Sequence, residues 1–169
     1  MHPNLKIVKS LFNTSHNIGS LEEIADNWHS RGNDIVFTNG CFDLFHAGHA
    51  EGLWQARSMG DKLIVGVNSN ESVRRLKGPT RPIISQEERA FLVASQSSVD
   101  LVYIFDEDIA REVLIVVRPQ VYYKCGVPLS MIPEAELVEE LGGQVVVEEP
   151  TIEQSTSKII VHILKRYIY

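Results

Sequence analysis

A doubly wound α/β domain built on one parallel five-stranded sheet is the fold class the sequence predicts, and three observations predict it. Short apolar runs recur along the chain, and the first of them, Ile35-Val36-Phe37, is of the kind that forms a strand covered on both faces. Helical segments alternate with these runs, which implies parallel strands joined by right-handed crossovers. At 169 residues the chain fits a single domain, and a domain of that size buries roughly 70% of its unfolded surface around one core.

The elements follow in order. Residues 1–19 carry Leu5, Ile7, Val8, Leu11 and Phe12 and then a polar stretch; they read as an N-terminal extension to a domain spanning 20–169. Ser20-Leu21-Glu22-Glu23 has capping-box spacing and predicts a helix through about His29, stopping near Gly32. Asp34 to Thr38 is the first strand. A helix is expected from near Gly48 to Gly60, then a second strand at Lys62 to Val67. Asn68 to Pro82, rich in Arg, Lys, Gly and Pro, reads as loop after a short helical turn at Glu71 to Leu76. Ser85-Gln86-Glu87-Glu88 is a second capping box, and Leu101 to Phe105 is the third strand. Asp106 to Val116 reads as a helix with acids in its first turn, which suits the helix dipole. Gln120 to Lys124 is the fourth strand. Pro133 begins a helix that Gly142-Gly143 ends, Val145 to Val147 is the fifth strand, and Ser155-Thr156-Ser157 opens a last helix to about Tyr167. No internal repeat or low-complexity segment is present.

Composition excludes several classes. The net charge is −6, which argues against a nucleic-acid binder that depends on nonspecific phosphate contacts. No apolar run approaches the roughly 18 residues of a membrane span, and the N-terminus lacks the pattern of a secretory signal. Two cysteines, Cys41 and Cys125, read as free thiols in a cytoplasmic protein. Ile159, Ile160, Ile163 and Leu164 on the last helix could support a homodimer, although at this spacing such residues are more often core.

The stretch from Phe37 to His49 concentrates the chemistry. It joins a buried strand to a helix through a glycine-containing turn, where free backbone N–H groups and the positive end of the helix dipole meet. His46 and His49, three residues apart, fall on one side of the first helical turn and together suit a phosphate chain. The plainer alternatives are a structural histidine pair or two metal ligands; no third ligand is placed by motif, so no protein-held metal is expected.

Thr38-Asn39-Gly40-Cys41-Phe42-Asp43 followed by His46-Ala47-Gly48-His49 resembles the signature of the HxGH nucleotidyltransferases, a cytidylyltransferase-like family. Gly60-Asp61 and the strand after it, Arg74-Arg75-Leu76-Lys77-Gly78, Arg81-Pro82-Ile83 and Glu87-Glu88-Arg89 look like its sugar-phosphate branch, above all the heptose 1-phosphate adenylyltransferases. The likeness runs from about Leu21 to about Lys165. It implies a Rossmann-like fold, with His46, His49 and Lys77 stabilising charge at the phosphates. It further implies nucleotide contacts from Thr38, Asn39, Gly40, Cys41, Phe42, Gly48, Arg89, Lys124, Ser155 and Thr156. Mg²⁺ would be held mainly by the triphosphate. Without the resemblance, Lys77 and Arg89 would read as surface charges, Ser155 as an N-cap, Gly40 and Gly48 as turn glycines, and Asp43 as the residue that orders the turn.

The implied reaction moves a nucleoside monophosphate from a triphosphate, ATP by preference, to a sugar phosphate such as heptose 1-phosphate. The nucleophile is already anionic, so the protein has only to position it and neutralise charge. One rival is a cytidylyltransferase acting on glycerol 3-phosphate or another alcohol phosphate. Another is a nucleotide-binding module without turnover; a flavin protein would give the histidine pair no purpose. The chain departs from the heptose enzymes after the fourth strand. There they read K-G-G-D-Y and this chain reads Lys124-Cys125-Gly126-Val127-Pro128, which bears on base and acceptor preference.

Overall fold

A computed structural model describes residues 18–168. Its elements are α1 (Ile18–Ser30), β1 (Ile35–Gly40), α2 (Ala47–Arg57), β2 (Lys62–Asn68), α3 (Asn70–Lys77), α4 (Gln86–Ala94), β3 (Leu101–Phe105), α5 (Arg111–Val117), β4 (Val121–Cys125), α6 (Ala135–Glu140), β5 (Gln144–Glu148) and α7 (Thr156–Tyr167). A 3₁₀ turn, Leu129–Met131, lies between β4 and α6. The five strands form one sheet in the order β3-β2-β1-β4-β5, every neighbouring pair parallel. The fold is therefore the Rossmann-like, doubly wound sheet.

This order decides where a ligand can sit. From β1 the chain winds outward through β2 and β3, then returns to lay β4 on the other side of β1, so the crossovers leave β1 and β4 in opposite directions. A crevice opens at the carboxyl ends of those two strands.

Apolar alternation along each strand feeds two cores. Leu21, Phe37, Ile64, Tyr122, Val113 and Val138 fill one face of the sheet, while Val36, Leu53, Val65, Ala90, Val102 and Tyr123 fill the other. Each such aliphatic or aromatic side chain gains about 1.5–3 kcal/mol on leaving water, which is why the central strands are buried on both sides. The close approach of β5 to the β4 side needs Gly143: a Cβ there would stand 2.3 Å from the Pro119 carbonyl oxygen.

Several expected boundaries shift for identifiable reasons. The extension at residues 1–19 lies outside the described residues except for Ile18 and Gly19, which already belong to α1; Ser20 is thus inside the helix rather than its cap. The segment after Asn68 is a full helix, α3, because the Ser69 hydroxyl accepts the Ser72 N–H at 3.0 Å. Asp106 to Ala110 is not helical. Its backbone is taken up by α3: the Glu107 carbonyl accepts from the Ser72 hydroxyl at 3.0 Å, and Arg75 donates to the Asp108 carboxylate at 2.8 Å and to the Asp106 carbonyl. Likewise α6 starts at Ala135 rather than Pro133, since Glu134 is turned away to α5. The Ser85–Glu88 capping box forms as expected. Ile163 and Leu164 are not core: they stay 47% and 46% exposed on α7.

Candidate nucleotide-binding site

Beyond β1 the backbone makes a tight turn in which two non-glycine residues, Phe42 and Leu44, adopt positive φ angles of 51° and 48°. Such conformations persist only where the surroundings over-determine them, and two arginines do so here. The buried Asp43 carboxylate accepts the N–H groups of Ile83 at 2.9 Å and Ile84 at 3.2 Å, and the Arg81 guanidinium at 2.5 Å. Behind the turn, fully buried Arg89 donates to the carbonyls of Cys41 at 2.5 Å and Ile84 at 3.2 Å and to Asn70 Oδ1 at 3.1 Å. The Asp43 carbonyl accepts the Thr156 hydroxyl, which fastens the start of α7 to the same turn.

The turn delivers the two histidines. His46 is the N-cap of α2, its Nδ1 accepting the His49 N–H at 3.3 Å, so a neutral His46 ring carries its proton on Nε2. The two rings stack with centroids 3.7 Å apart. His49 also packs on Phe42 and Phe45 at 5.2 and 5.5 Å, and its buried Nδ1 has no partner among the described residues. Burial first, and His46 second, push the His49 pKa down to about 4, with Asp43 opposing; burial lowers that of His46 as well. Both rings are accordingly neutral at pH 7.

The N-terminus of α7 closes the same end. Ser155 caps it by accepting the Lys158 N–H at 3.2 Å. The segment before it lies on α2: Glu51 accepts the Ile152 N–H at 2.9 Å and the Thr151 hydroxyl. Gly48 makes room for this contact, because a Cβ there would meet the carbonyl oxygens of Ile152 and Gln154 at 3.2 and 3.3 Å. Gly48 also lines the cleft described below.

On the other side of the crevice Lys124 donates to Asn39 Oδ1 at 2.7 Å and lies 4.8 Å above the Tyr122 ring. Tyr122 donates its hydroxyl to the same oxygen at 2.8 Å. Burial lowers the Lys124 pKa to about 8.

An open cleft of about 810 Å³ joins these parts. It brings together Asn39, Gly40, Cys41, Phe42, His46, Gly48 and His49 from the first unit with Lys77, Lys124, Ser155 and Thr156 from elsewhere. Thr38 lines only a smaller adjoining pocket of about 200 Å³. Arg89 lines neither; its place is under the turn, where it bonds Ile84, Cys41 and Asn70. The cleft also takes in Asn68, Arg81, Asp108 and Glu134, which the sequence reading leaves out of the site. Arg81 had a signal in the Arg81-Pro82-Ile83 block. Glu134, after Pro133, is indistinguishable in sequence from an ordinary first-turn acid. Cys41 and Cys125 are free thiols on the cleft wall. No group of three or more His, Cys, Asp or Glu among the described residues is arranged to hold a metal ion, and no described helix is long and apolar enough to cross a membrane.

Residues 37–165 match the family described as cytidylyltransferase-like. The chain is 45% identical over 150 residues to the bifunctional protein HldE of Syntrophotalea carbinolica, a match covering 88% of this chain and 30% of that protein. It is 47% identical over 132 residues to the HldE of Wolinella succinogenes, covering 74% and 28%. It thus spans about 30% of the length of the curated relatives it matches. Among solved structures, the lipopolysaccharide core biosynthesis protein of Thermoplasma volcanium is similar with a TM-score of 0.59 and 27% identity over 73% of this chain and 100% of that one. The pantoate-beta-alanine ligase of Francisella tularensis, in complex with an ATP analogue and beta-alanine, shares the fold, with a TM-score of 0.58 and 13% identity over 85% of this chain and 68% of that one.

Proposed function

Because the chain belongs to the cytidylyltransferase-like family, we propose that it transfers a nucleoside monophosphate from a nucleoside triphosphate to a phosphorylated sugar. An oxygen of the acceptor phosphate attacks the α-phosphorus, the bond from that phosphorus to the β-phosphate bridging oxygen breaks, and pyrophosphate leaves. The observation that carries this reading is the stacked His46–His49 pair at the head of α2, with the His49 Nδ1 buried and unpartnered. Two adjacent imidazoles resist charging in an empty cleft, and an anion laid across them reverses that preference. They are therefore placed to donate where charge grows in the transition state.

Lys77, at the end of α3, and Ser155 and Thr156, at the head of α7, would hold the outer phosphates; Asn39, Gly40, Cys41, Phe42 and Gly48 would form the wall against which the nucleotide lies, with Thr38 behind it. Arg89 would serve the same site by fixing the turn. A divalent ion such as Mg²⁺ would ride on the triphosphate oxygens, since Asp43, the carboxylate of the turn before the histidines, is already committed to Arg81 and two backbone N–H groups. Bound there it would offset phosphate charge.

ATP and heptose 1-phosphate are the preferred pair, on the sequence blocks around Lys77 and Arg81. CTP with an alcohol phosphate is the second reading, which the name of the matched family favours. Pyrophosphate release measured with each triphosphate against heptose 1-phosphate and glycerol 3-phosphate tests both. Release with ATP and heptose 1-phosphate is expected; nucleotide binding without release for any pair would reduce the protein to a binding module.

A further inference from the structure

The cleft has an end that the phosphate-binding groups leave unassigned. His49 sits with Phe42 and Phe45, which pack with the second core, whereas Lys124 and Asn39 sit with Tyr122, a member of the first. The carboxyl edge of the sheet therefore runs between the histidines and Lys124. In an in-line displacement the entering and leaving oxygens lie on opposite sides of phosphorus. If pyrophosphate departs on the histidine side, the acceptor enters from the side of Lys124.

Lys124 is built to meet it. Its ammonium has three N–H donors; one goes to Asn39 Oδ1, and the Tyr122 ring supports it from below. Glu134, only 4% exposed, accepts the Ala110 N–H at 3.1 Å, adjoins the Tyr122 hydroxyl and favours the charged form of Lys124. A buried carboxylate is costly without compensation; the Ala110 N–H supplies part of it, and Glu134 shares the cleft with Lys124.

Resting on the reading above, we propose that Lys124 binds the phosphate of the acceptor sugar, and that Glu134, a positioning residue, keeps it charged for that purpose. The groups facing Lys124 are Asn39 from β1, Tyr122 from β4, Cys41 from the turn after β1 and Glu134 from the segment before α6. Burial pushes both the Tyr122 hydroxyl and the Cys41 thiol up, and a sugar phosphate completes its second ionisation near pH 6. Between pH 7 and 9 the group that titrates is thus Lys124.

Calorimetric binding of heptose 1-phosphate to the full chain, without nucleotide, tests this. Affinity is expected to fall about tenfold from pH 7 to pH 9, the ratio of charged Lys124 for a pKa of about 8. Glu134→Gln keeps an oxygen for Ala110 but removes the charge, so its loss of affinity should begin at lower pH. Lys124→Met should bind weakly at every pH, while Glu134→Gln keeps wild-type affinity for ATP. The proposal is overturned by pH-independent binding, by wild-type binding in Lys124→Met, by the absence of binding, or by loss of ATP affinity in Glu134→Gln. Failure of the broader reading would show separately, as wild-type protein that releases no pyrophosphate.

Discussion

His49 is where the account is most exposed to test at the level of single residues. Its pKa near 4 follows from burial beside a second imidazole, and an anion bound at the pair must raise it. An NMR titration should therefore place His49 near pH 4 in the free protein and well above that with a triphosphate bound. The linkage sign is that of a histidine depressed in the folded state: the unfolded chain binds more protons below about pH 6.5, so this residue lowers stability as pH falls toward 4. His49→Ala should lower kcat by about a hundred- to a thousandfold, the scale for one donor aimed at developing charge, with a small change in melting temperature. Arg89 should behave in the opposite way. Arg89→Met leaves two carbonyls and an amide oxygen without their donor, which should destabilise the protein by about 3 kcal/mol, read as a drop in thermal midpoint.

At the scale of elements, Gly143 is expected to tolerate no side chain. Gly143→Ala forces a methyl group against the Pro119 carbonyl at the junction of β4 and β5, and it should cost at least about 1–3 kcal/mol in chemical denaturation. The elements that were legible in sequence share a cause: their signals are local. Ile35-Val36-Phe37, the Ser85–Glu88 box and the Gly142-Gly143 stop each announce themselves within a few residues. The Phe37-to-His49 unit was legible for the same reason, since one strand, one turn and one helix carry it. What the sequence concealed depends on distant partners. Asp106 to Ala110 has acids suited to a first turn, yet α3 captures its carbonyls from more than thirty residues away. Arg89 has the spacing of a surface helix position, and only the fold shows it buried beneath Cys41. Glu134 is held at the cleft by the Ala110 N–H, twenty-four residues away at the start of α5.

For the whole molecule, the net charge is −6 and the cleft is electrically mixed: Lys77, Arg81 and Lys124 stand with Asp43, Asp108 and Glu134 around the two neutral histidines. In so acidic a protein, Lys77 and Lys124 supply the local positive charge that draws a small polyanion into the cleft. The KM for triphosphate should then rise with ionic strength, as screening shortens the reach of those charges, while kcat stays nearly constant. The winding of the sheet creates this crevice by sending its crossovers away from β1 and β4 in opposite directions, and the heads of α2 and α7 close one end of it. A crystal structure with a non-hydrolysable ATP analogue bound tests the central claim most directly. The account expects the triphosphate to lie across His46 and His49, within hydrogen-bonding distance of both rings and of the head of α7; a triphosphate seated anywhere else, with the two rings still stacked and untouched, would contradict it.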